Sequence, residues 1–322
     1  MKSVDLFRVI KPGLFTSVQD LGRFGYQRFG IPVSGAMDKY AFVCANTLVG
    51  NSVNDACLEV TLLGPELEVL NPTQVSLAGA DFSVSVNDEV APMWALLNLK
   101  KGDVITFIGS AERGCRTYVA VRGGIDVPII LGSRSTYVRG GFGGYEGCLL
   151  QAGNVIRGLE SPEFLKERRV MPTELIPKYE SKIIADVTLG PQEEMFTAEG
   201  VETFLSQEYT LTTESDRMGY RLDGALVKHK SATEIVTDPL LPGAVQVPGN
   251  GKPIVLMVDA QTTGGYPKIA TATTPGLSRL GQAKPGDTIQ FKEISSTKAR
   301  DCYLEFYASL DQLEMKLIRQ PL

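Results

Sequence analysis

The most chemically loaded stretch of the chain is Ile254-Val-Leu-Met-Val-Asp-Ala-Gln-Thr-Thr-Gly-Gly-Tyr-Pro267, in which an apolar run reads as a buried strand and delivers Asp259 at its end. Asp259 can serve as a general base, and Thr262 and Thr263 can donate hydrogen bonds to a substrate oxygen. Gly264 and Gly265 permit close backbone approach, and Tyr266 completes the loop as a candidate substrate contact. The competing reading makes Asp259 a turn former that bonds its own backbone. Upstream, Val245-Gln-Val-Pro248 sets Gln246 beside this loop if the two strands pair.

Two other stretches carry candidate binding groups. In Thr16-Ser-Val-Gln-Asp-Leu-Gly-Arg-Phe-Gly-Tyr26, Ser17, Asp20 and Arg23 crowd against Gly22 and Gly25, so the loop can offer backbone N–H groups and a guanidinium to an anion or carbonyl oxygen. An Asp20–Arg23 pair that staples a turn accounts for the same residues. In Thr213-Glu-Ser-Asp-Arg-Met-Gly-Tyr-Arg221, Arg217 and Arg221 stand four apart with Tyr220 between them and can clamp a carboxylate, Arg217 being the better candidate because it lies next to Asp216 and close to Gly219. Solvated surface arginines would leave the same trace.

Most familiar catalytic sets are excluded. His229 is the only histidine and lies between two lysines in a polar stretch expected to be a solvated loop, so neither a Ser-His-Asp triad nor a histidine zinc site can be assembled, and no metal site is expected. No phosphate-loop motif exists: Pro248-Gly-Asn-Gly-Lys252 lacks the first glycine and runs into Pro253. The string Gly140-Gly-Phe-Gly-Gly-Tyr-Glu-Gly147 does not fit a dinucleotide fingerprint and reads as a β turn or bulge. Gly35-Ala-Met-Asp-Lys39 has no methionine next to its lysine, so the chain is expected to carry no covalent biotin. The five cysteines form no C-x-x-C pair and read as reduced, mostly buried thiols.

The elements that must position these residues are mainly strands. Short β-branched runs recur between glycines and prolines at Val75–Leu77, Val104–Ile108, Thr117–Val121, Ile183–Leu189, Ile254–Val258 and Thr288–Phe291. Helical signals are few: Gly35–Leu48, Gln192–Ser206 and Leu310–Arg319. Charges and the prolines Pro162, Pro172 and Pro177 between Glu160 and Lys182 mark a connection, which predicts an N-terminal β-barrel domain over 1–165, a linker over 166–179 and a C-terminal β-barrel domain over 180–322. Weak self-similarity agrees with two halves, since Leu99–Phe107 resembles Ala283–Phe291 and Asp20–Tyr26 resembles Asp216–Tyr220. With 43% apolar and 21% charged residues the chain is an ordinary globular one, and a net charge of −5 without basic blocks argues against nucleic acid and anionic membranes. The N-terminus has no secretory apolar core, because Asp5 and Arg8 interrupt it, and no run is long enough to span a bilayer, so a cytoplasmic location is expected.

Taken in order along the chain, Ser17–Gly25, Gly30-Ile-Pro-Val-Ser-Gly-Ala-Met-Asp38, Cys57-Leu-Glu-Val-Thr61, Ala78-Gly-Ala-Asp81, Arg122-Gly-Gly-Ile-Asp126, Gly132-Ser-Arg-Ser-Thr136, Ser215–Leu222, Gly243-Ala-Val-Gln-Val-Pro248 and Gln261–Pro267 resemble the biotin-dependent carboxyltransferase-like family. That family includes the C-type subunit of 5-oxoprolinase, the kinase-inhibitor antagonist KipA and the carboxyltransferase region of urea carboxylase. The resemblance implies a mainly β fold of two cyclophilin-like barrel domains with a few short helices.

It also implies work as the C-type subunit of an ATP-dependent 5-oxoprolinase, with a B-type (KipI-like) partner subunit, an A-type hydrolase subunit, and ATP bound by or shared with those partners. Arg23 and Arg217 would anchor the small substrate's carboxylate, the Thr262–Gly265 loop would donate to its carbonyl, and Asp259 would orient water or a lactam proton. Carboxyl transfer from carboxybiotin held on a separate carrier, and non-catalytic regulation of a KipI-like protein, are the alternatives. Two departures from the family pattern, Thr274-Pro-Gly-Leu277 and Ile235–Gly243, bear on the substrate rather than the fold.

Overall fold

Strands form where β-branched runs predict them, and their burial patterns show which faces are covered. The computed structural model describes residues 2–160 and 163–321, so Pro162 of the expected connector lies outside the described residues. Two compact units emerge: residues 1–23, 34–179 and 309–322 make the first, and residues 24–33 and 180–308 the second.

In the first unit, one sheet has the order Val155–Leu159, Ser3–Lys11, Glu66–Val69, Val104–Phe107, Val84–Val86, Glu89–Val90; the other runs Phe15–Gln19, Cys57–Thr61, Arg116–Val121, Thr73–Gly79, Leu96–Leu99. Strand Glu66–Val69 alternates half-buried and buried positions, whereas Thr73–Gly79 and Arg116–Val121 are buried at every position. A strand buried on both sides needs cover on both faces. One face meets the core built from Phe7, Leu58, Leu67, Val75, Leu77, Ile105 and Val119, and helix Lys39–Leu48 packs on these two strands as well. That helix is buried from Ala41 through Leu48 without a break, as a helix inside a core must be. Its start is fixed by Asp38, whose carboxylate accepts from Tyr40 N at 3.1 Å and Ala41 N at 3.2 Å, four residues later than the sequence suggests.

The second unit holds a closed barrel of seven strands: Lys182–Leu189, Lys268–Ala272, Ala244–Gln246, Ile254–Leu256, Gly219–Asp223, Glu208–Leu211 and Thr288–Glu293, which pairs in parallel with the first. Helix Ala198–Ser206, capped by Thr197, buries Phe204 against Phe291 with ring centroids 4.4 Å apart. Burying an aromatic side chain contributes about 1.5–3 kcal/mol, and a ring pair roughly another 0.5–1.5.

Leu99–Phe107 and Ala283–Phe291 fold alike at the local level. Asp103 accepts from Lys100 N at 2.7 Å ahead of strand Val104–Phe107, and Asp287 accepts from Lys284 N at 2.9 Å ahead of Thr288–Glu293. Gly102 and Gly286 take the same left-handed conformation, with φ of 91° and 93°.

The expected boundaries differ in three places. Residues 166–179 are not a bare connector, because Glu167–Val170 forms a strand that pairs with Ile318–Pro321 and thereby holds the C-terminal residues in the first unit. Residues 24–33 belong to the second unit rather than the first. The C-terminal helix spans Ser296–Asp311, with a short turn of helix over Leu313–Lys316, instead of Leu310–Arg319. The glycine-rich string does hold a turn, with Cys148 N donating to the Tyr145 carbonyl at 3.1 Å; a 3-10 turn, Val138–Gly140, opens it and left-handed glycines carry it back across residues 135–136. Thr274-Pro-Gly-Leu277 begins helix Thr274–Leu280, whose first turn is capped by Thr273 Oγ1 accepting from Gly276 N at 3.2 Å.

Candidate functional site

Strand Ile254–Leu256 ends three residues before Asp259, which sits in a turn and is buried, 5% exposed. Its partner comes from the loop Ser215–Gly219. There Asp216 Oδ1 accepts from Met218 N at 2.8 Å and Gly219 N at 3.2 Å, an Asx turn that aims Arg217 inward. Arg217 Nε donates to Asp259 Oδ2 at 2.8 Å and Nη2 to Oδ1 at 3.3 Å, while Asp259 N donates to the Arg217 carbonyl at 2.9 Å. The pair is bidentate and charge-assisted, the strong form of such a contact.

This geometry corrects two readings. The fork of Arg217 grips Asp259 of its own chain, so it is not an open anchor for a substrate carboxylate. Both oxygens of Asp259 are engaged, so it is not an uncommitted base. Tyr220 is likewise a core residue, 2% exposed, with its hydroxyl donating to the Ala283 carbonyl at 3.5 Å.

The loop beyond Asp259 is more open. Thr263 and Tyr266 are exposed, Tyr266 at 40%, and Thr262, Gly264 and Gly265 are half-buried. A two-stranded ribbon pairs Thr263–Gly264 with Asp238–Pro239, and the carbonyls of Thr262 and Gly265 accept from Leu240 N and Ile235 N at 2.9 and 2.8 Å. Gln246 lies beside the loop, as strand pairing requires, and its Nε2 donates to the Tyr266 carbonyl at 3.1 Å. A Cβ on Gly264 would stand 2.8 Å from Leu240 Cδ1 and 3.0 Å from Gln246 Nε2, so this glycine admits its own chain's side chains rather than a ligand. At Gly265 the nearest atom would be 3.4 Å away, an ordinary contact.

Sequence reasoning misses the group beneath this loop. Lys268 is 4% exposed, and its Nζ is ion-paired with Asp238 Oδ2 and donates to the Pro239 carbonyl at 3.0 Å. Gln192 Nε2 donates to the same carboxylate oxygen at 3.3 Å. The hydrogen bond from Lys268 holds the Asp238 carboxyl below its ordinary pKa. A lysine following Tyr-Pro reads as a surface residue, and only its position at the head of strand Lys268–Ala272 could have signalled otherwise.

In the first unit, Asp20 and Arg23 both bond Ser135 in a buried latch, and Ser17 bonds Gln19 of its own strand. Asp20 Oδ1 accepts from Gly22 N, Ser133 Oγ and Ser135 Oγ at 2.8, 2.7 and 2.5 Å, and Oδ2 accepts from Arg134 N at 2.6 Å. Arg23, fully buried, donates to the Ser135 carbonyl at 2.5 Å and lies 4.9 Å over the Phe142 ring. Ser17 Oγ accepts from Gln19 Nε2 at 2.9 Å. Asp20 and Arg23 fasten the segment that carries the glycine-rich loop, with Gly143 so close to Ser135 that a Cβ would meet its carbonyl oxygen at 2.1 Å. His229 is not solvated either: half-buried, its Nε2 is 3.0 Å from the Val247 carbonyl and its ring 4.7 Å from Phe196.

A second polar chain in this unit also escapes sequence reasoning. Glu59 Oε2 accepts from Met37 N at 2.9 Å and Tyr118 Oη at 2.8 Å; Asp38 N donates to Tyr118 Oη at 2.8 Å; Tyr179 Oη donates to Asp38 Oδ2 at 3.1 Å. Burial, with Glu59 and Asp38 nearby, pushes the Tyr118 phenol well above its ordinary pKa, and burial beside Asp38 does the same to Tyr179. Among the described residues no group of three or more His, Cys, Asp or Glu side chains is placed to hold a metal ion, and no helix is long and apolar enough to cross a membrane.

With this geometry established, similarity to known proteins becomes informative. The chain is 36% identical over 314 residues to the C-type subunit of 5-oxoprolinase from Escherichia coli, covering 97% of this chain and 99% of that one. It is 36% identical over 332 residues to urea amidolyase of Lachancea kluyveri, where it spans 96% of this chain and only 18% of the much longer relative. The crystal structure of Kluyveromyces lactis urea carboxylase superposes with a TM-score of 0.91 at 33% identity, over 97% of this chain and 29% of that one. Residues 29–293 match the model of the carboxyltransferase domain, subdomain A and B. The chain therefore belongs to the carboxyltransferase domain family, as the ordered motifs from Ser17 to Pro267 suggest.

Proposed function

We propose that the chain is the C-type subunit of a cytoplasmic, ATP-dependent 5-oxoprolinase. The complex converts 5-oxo-L-proline, ATP and water into L-glutamate, ADP and phosphate, and this chain acts beside an A-type hydrolase subunit and a B-type (KipI-like) subunit. The observation that carries the reading is the end-to-end likeness to the C-type 5-oxoprolinase subunit of Escherichia coli, which covers nearly all of both chains. ATP is assigned to the partner subunits, since this chain has no phosphate-loop motif.

In this reading the Gln261–Pro267 loop meets the lactam. Thr263 and Tyr266, both exposed, with half-buried Thr262, present hydroxyl donors to its carbonyl or carboxylate oxygens. Gln246 and Lys268 are positioning residues: the first holds the Tyr266 carbonyl and the second holds Asp238 and Pro239 of the paired ribbon. The second reading, transfer of a carboxyl group from carboxybiotin on a separate carrier, is supported by the likeness to urea carboxylase. The same donor loop would then serve a carboxylate or ureido group.

The test co-expresses the chain with A- and B-type subunits and measures turnover against each substrate. Hydrolysis of ATP that depends on 5-oxoproline is expected, and the isolated chain should turn over neither compound. Thr263→Val should lower the rate of the complex by about 10²–10³-fold, the effect of one lost oxyanion donor. Carboxylation of urea or an amide in a mixture supplied with carboxybiotin, without 5-oxoproline-dependent hydrolysis, would move the chain to the second reading.

A further inference from the structure

The second unit carries a groove of about 710 Å³ that neither the Gln261–Pro267 loop nor the Arg217–Asp259 pair accounts for. One wall is the outer face of helix Ala198–Ser206, where Ala198, Val201, Glu202 and Leu205 follow the i, i+3, i+4, i+7 spacing of a single face. Gly200 and Phe204, on the opposite face, are the buried residues of this helix, and Phe204 stacks on Phe291 of the barrel. The barrel therefore covers one side of the helix and the groove opens on the other. The second wall is built from Glu193, Phe196 and Lys230. It is held together by Lys230 N donating to the Met195 carbonyl at 2.8 Å and Thr197 N donating to the Lys228 carbonyl at 3.0 Å.

The floor is apolar and the rim is acidic. Phe196 is buried, and Val201 and Leu205 are half-buried. Glu193 on one wall and Glu202 on the other are exposed, and among the described residues neither carboxylate is hydrogen-bonded or ion-paired. Glu194, exposed beside Glu193, adds a third carboxylate. Glu199 is already ion-paired with Lys228 at 2.8 Å, so its charge is answered within the chain. Lys230 supplies one opposing charge on the wall of Glu193, which leaves the rim negative over an apolar floor.

We propose that this groove docks a basic amphipathic helix of a partner protein. An apolar ridge on that helix would cover Phe196, Val201 and Leu205, and lysines or arginines beside the ridge would meet Glu193 and Glu202 from opposite sides. From Ala198 to Leu205 the wall runs for about 10 Å, the length of two turns of a docked helix. An extended peptide finds no sheet edge to join, because the backbone groups of the second wall already bond one another. An acidic segment would meet like charge on both walls, and a purely polar one would leave the apolar floor wet. The inference does not rest on the 5-oxoprolinase reading.

The probe is a fluorescein-labelled helical peptide of about four turns, with leucines on one face and lysines on the other. Its fluorescence anisotropy is followed as purified full-length chain is added. Saturable binding is expected, and the same design with glutamate in place of lysine, or serine in place of leucine, should bind at least tenfold more weakly. Glu193→Gln/Glu202→Gln should weaken the Leu/Lys peptide tenfold or more, whereas Lys230→Gln should tighten it. The control Asp88→Asn/Glu89→Gln makes the same change of net charge on an exposed hairpin of the first unit and should leave binding unaltered. All five positions are exposed, so folding is expected to survive, as circular dichroism of each variant would verify. The proposal is overturned if the Leu/Lys peptide gives no saturable response, if either altered peptide matches it, or if the hairpin control weakens binding as much as the groove variant does. A dimer in light scattering that Glu193→Gln/Glu202→Gln dissolves would also overturn it, by giving the groove to a second copy of this chain.

Discussion

Replacing Asp259 with asparagine separates a structural role from a chemical one. The native carboxylate meets Arg217 through contacts of 2.8 and 3.3 Å, and both side chains are nearly inaccessible, 6% and 7% exposed. Asp259→Asn keeps the shape but leaves the guanidinium charged and uncompensated in the interior. Breaking a buried pair from one side costs about 3–5 kcal/mol, whereas exchanging both partners for apolar residues of similar size is often close to neutral. At roughly 2–4 °C per kcal/mol for a domain of this size, Tm should fall on the order of 6–20 °C. Urea unfolding followed by circular dichroism measures the loss, with an unchanged slope indicating that stability alone has moved. The double variant Arg217→Met/Asp259→Leu should be more stable than Asp259→Asn alone. The reasoning fails if Asp259→Asn stays within about 1 kcal/mol of the native protein, and a simultaneous 10²-fold loss of turnover in the complex would restore Asp259 to a chemical role.

Gly264→Ala should displace Gln246 and Leu240 and cost stability on the order of 1–3 kcal/mol, whereas Gly265→Ala should be nearly neutral; chemical denaturation of the two variants checks the contrast. Asp20→Ala strips four donors of their acceptor in the buried latch and should destabilise the first unit by at least about 3 kcal/mol, visible as new proteolytic cleavage between residues 133 and 147. Burial raises the Tyr209 phenol to about 12, above the unfolded value of about 10, so stability is intact below pH 10 and is lost as pH rises toward 12. Tyr209→Phe should make the alkaline denaturation profile shallower.

Strand positions are legible because β-branched runs are local signals: Arg116–Val121 and Lys182–Leu189 lie within a residue of the runs that predict them. The helix Ser296–Asp311 is read only at its end: Leu310 is its sole buried residue, and the stripe of Cys302, Phe306 and Leu310 before it is short and only half-buried in its first two members. Helix Thr274–Leu280 escapes notice although a threonine cap and an early proline announce it, because Pro-Gly also spells a turn. The family motifs name the loops but carry no information on how their side chains pair. Arg217 and Asp259 stand 42 residues apart, and no spacing rule reveals that each satisfies the other. Buried Lys268 is invisible for a similar reason: its ion pair with Asp238 exists only once the barrel brings two distant segments together.

The most direct test of the account is an omission experiment on the assembled enzyme. The A-type subunit, the B-type subunit and this chain are purified separately, combined in all pairs and together, and assayed for 5-oxoproline-dependent release of phosphate and glutamate in equal amounts. Turnover should require this chain and disappear when it is left out. Equal turnover with and without it would contradict its assignment as a working subunit of the enzyme.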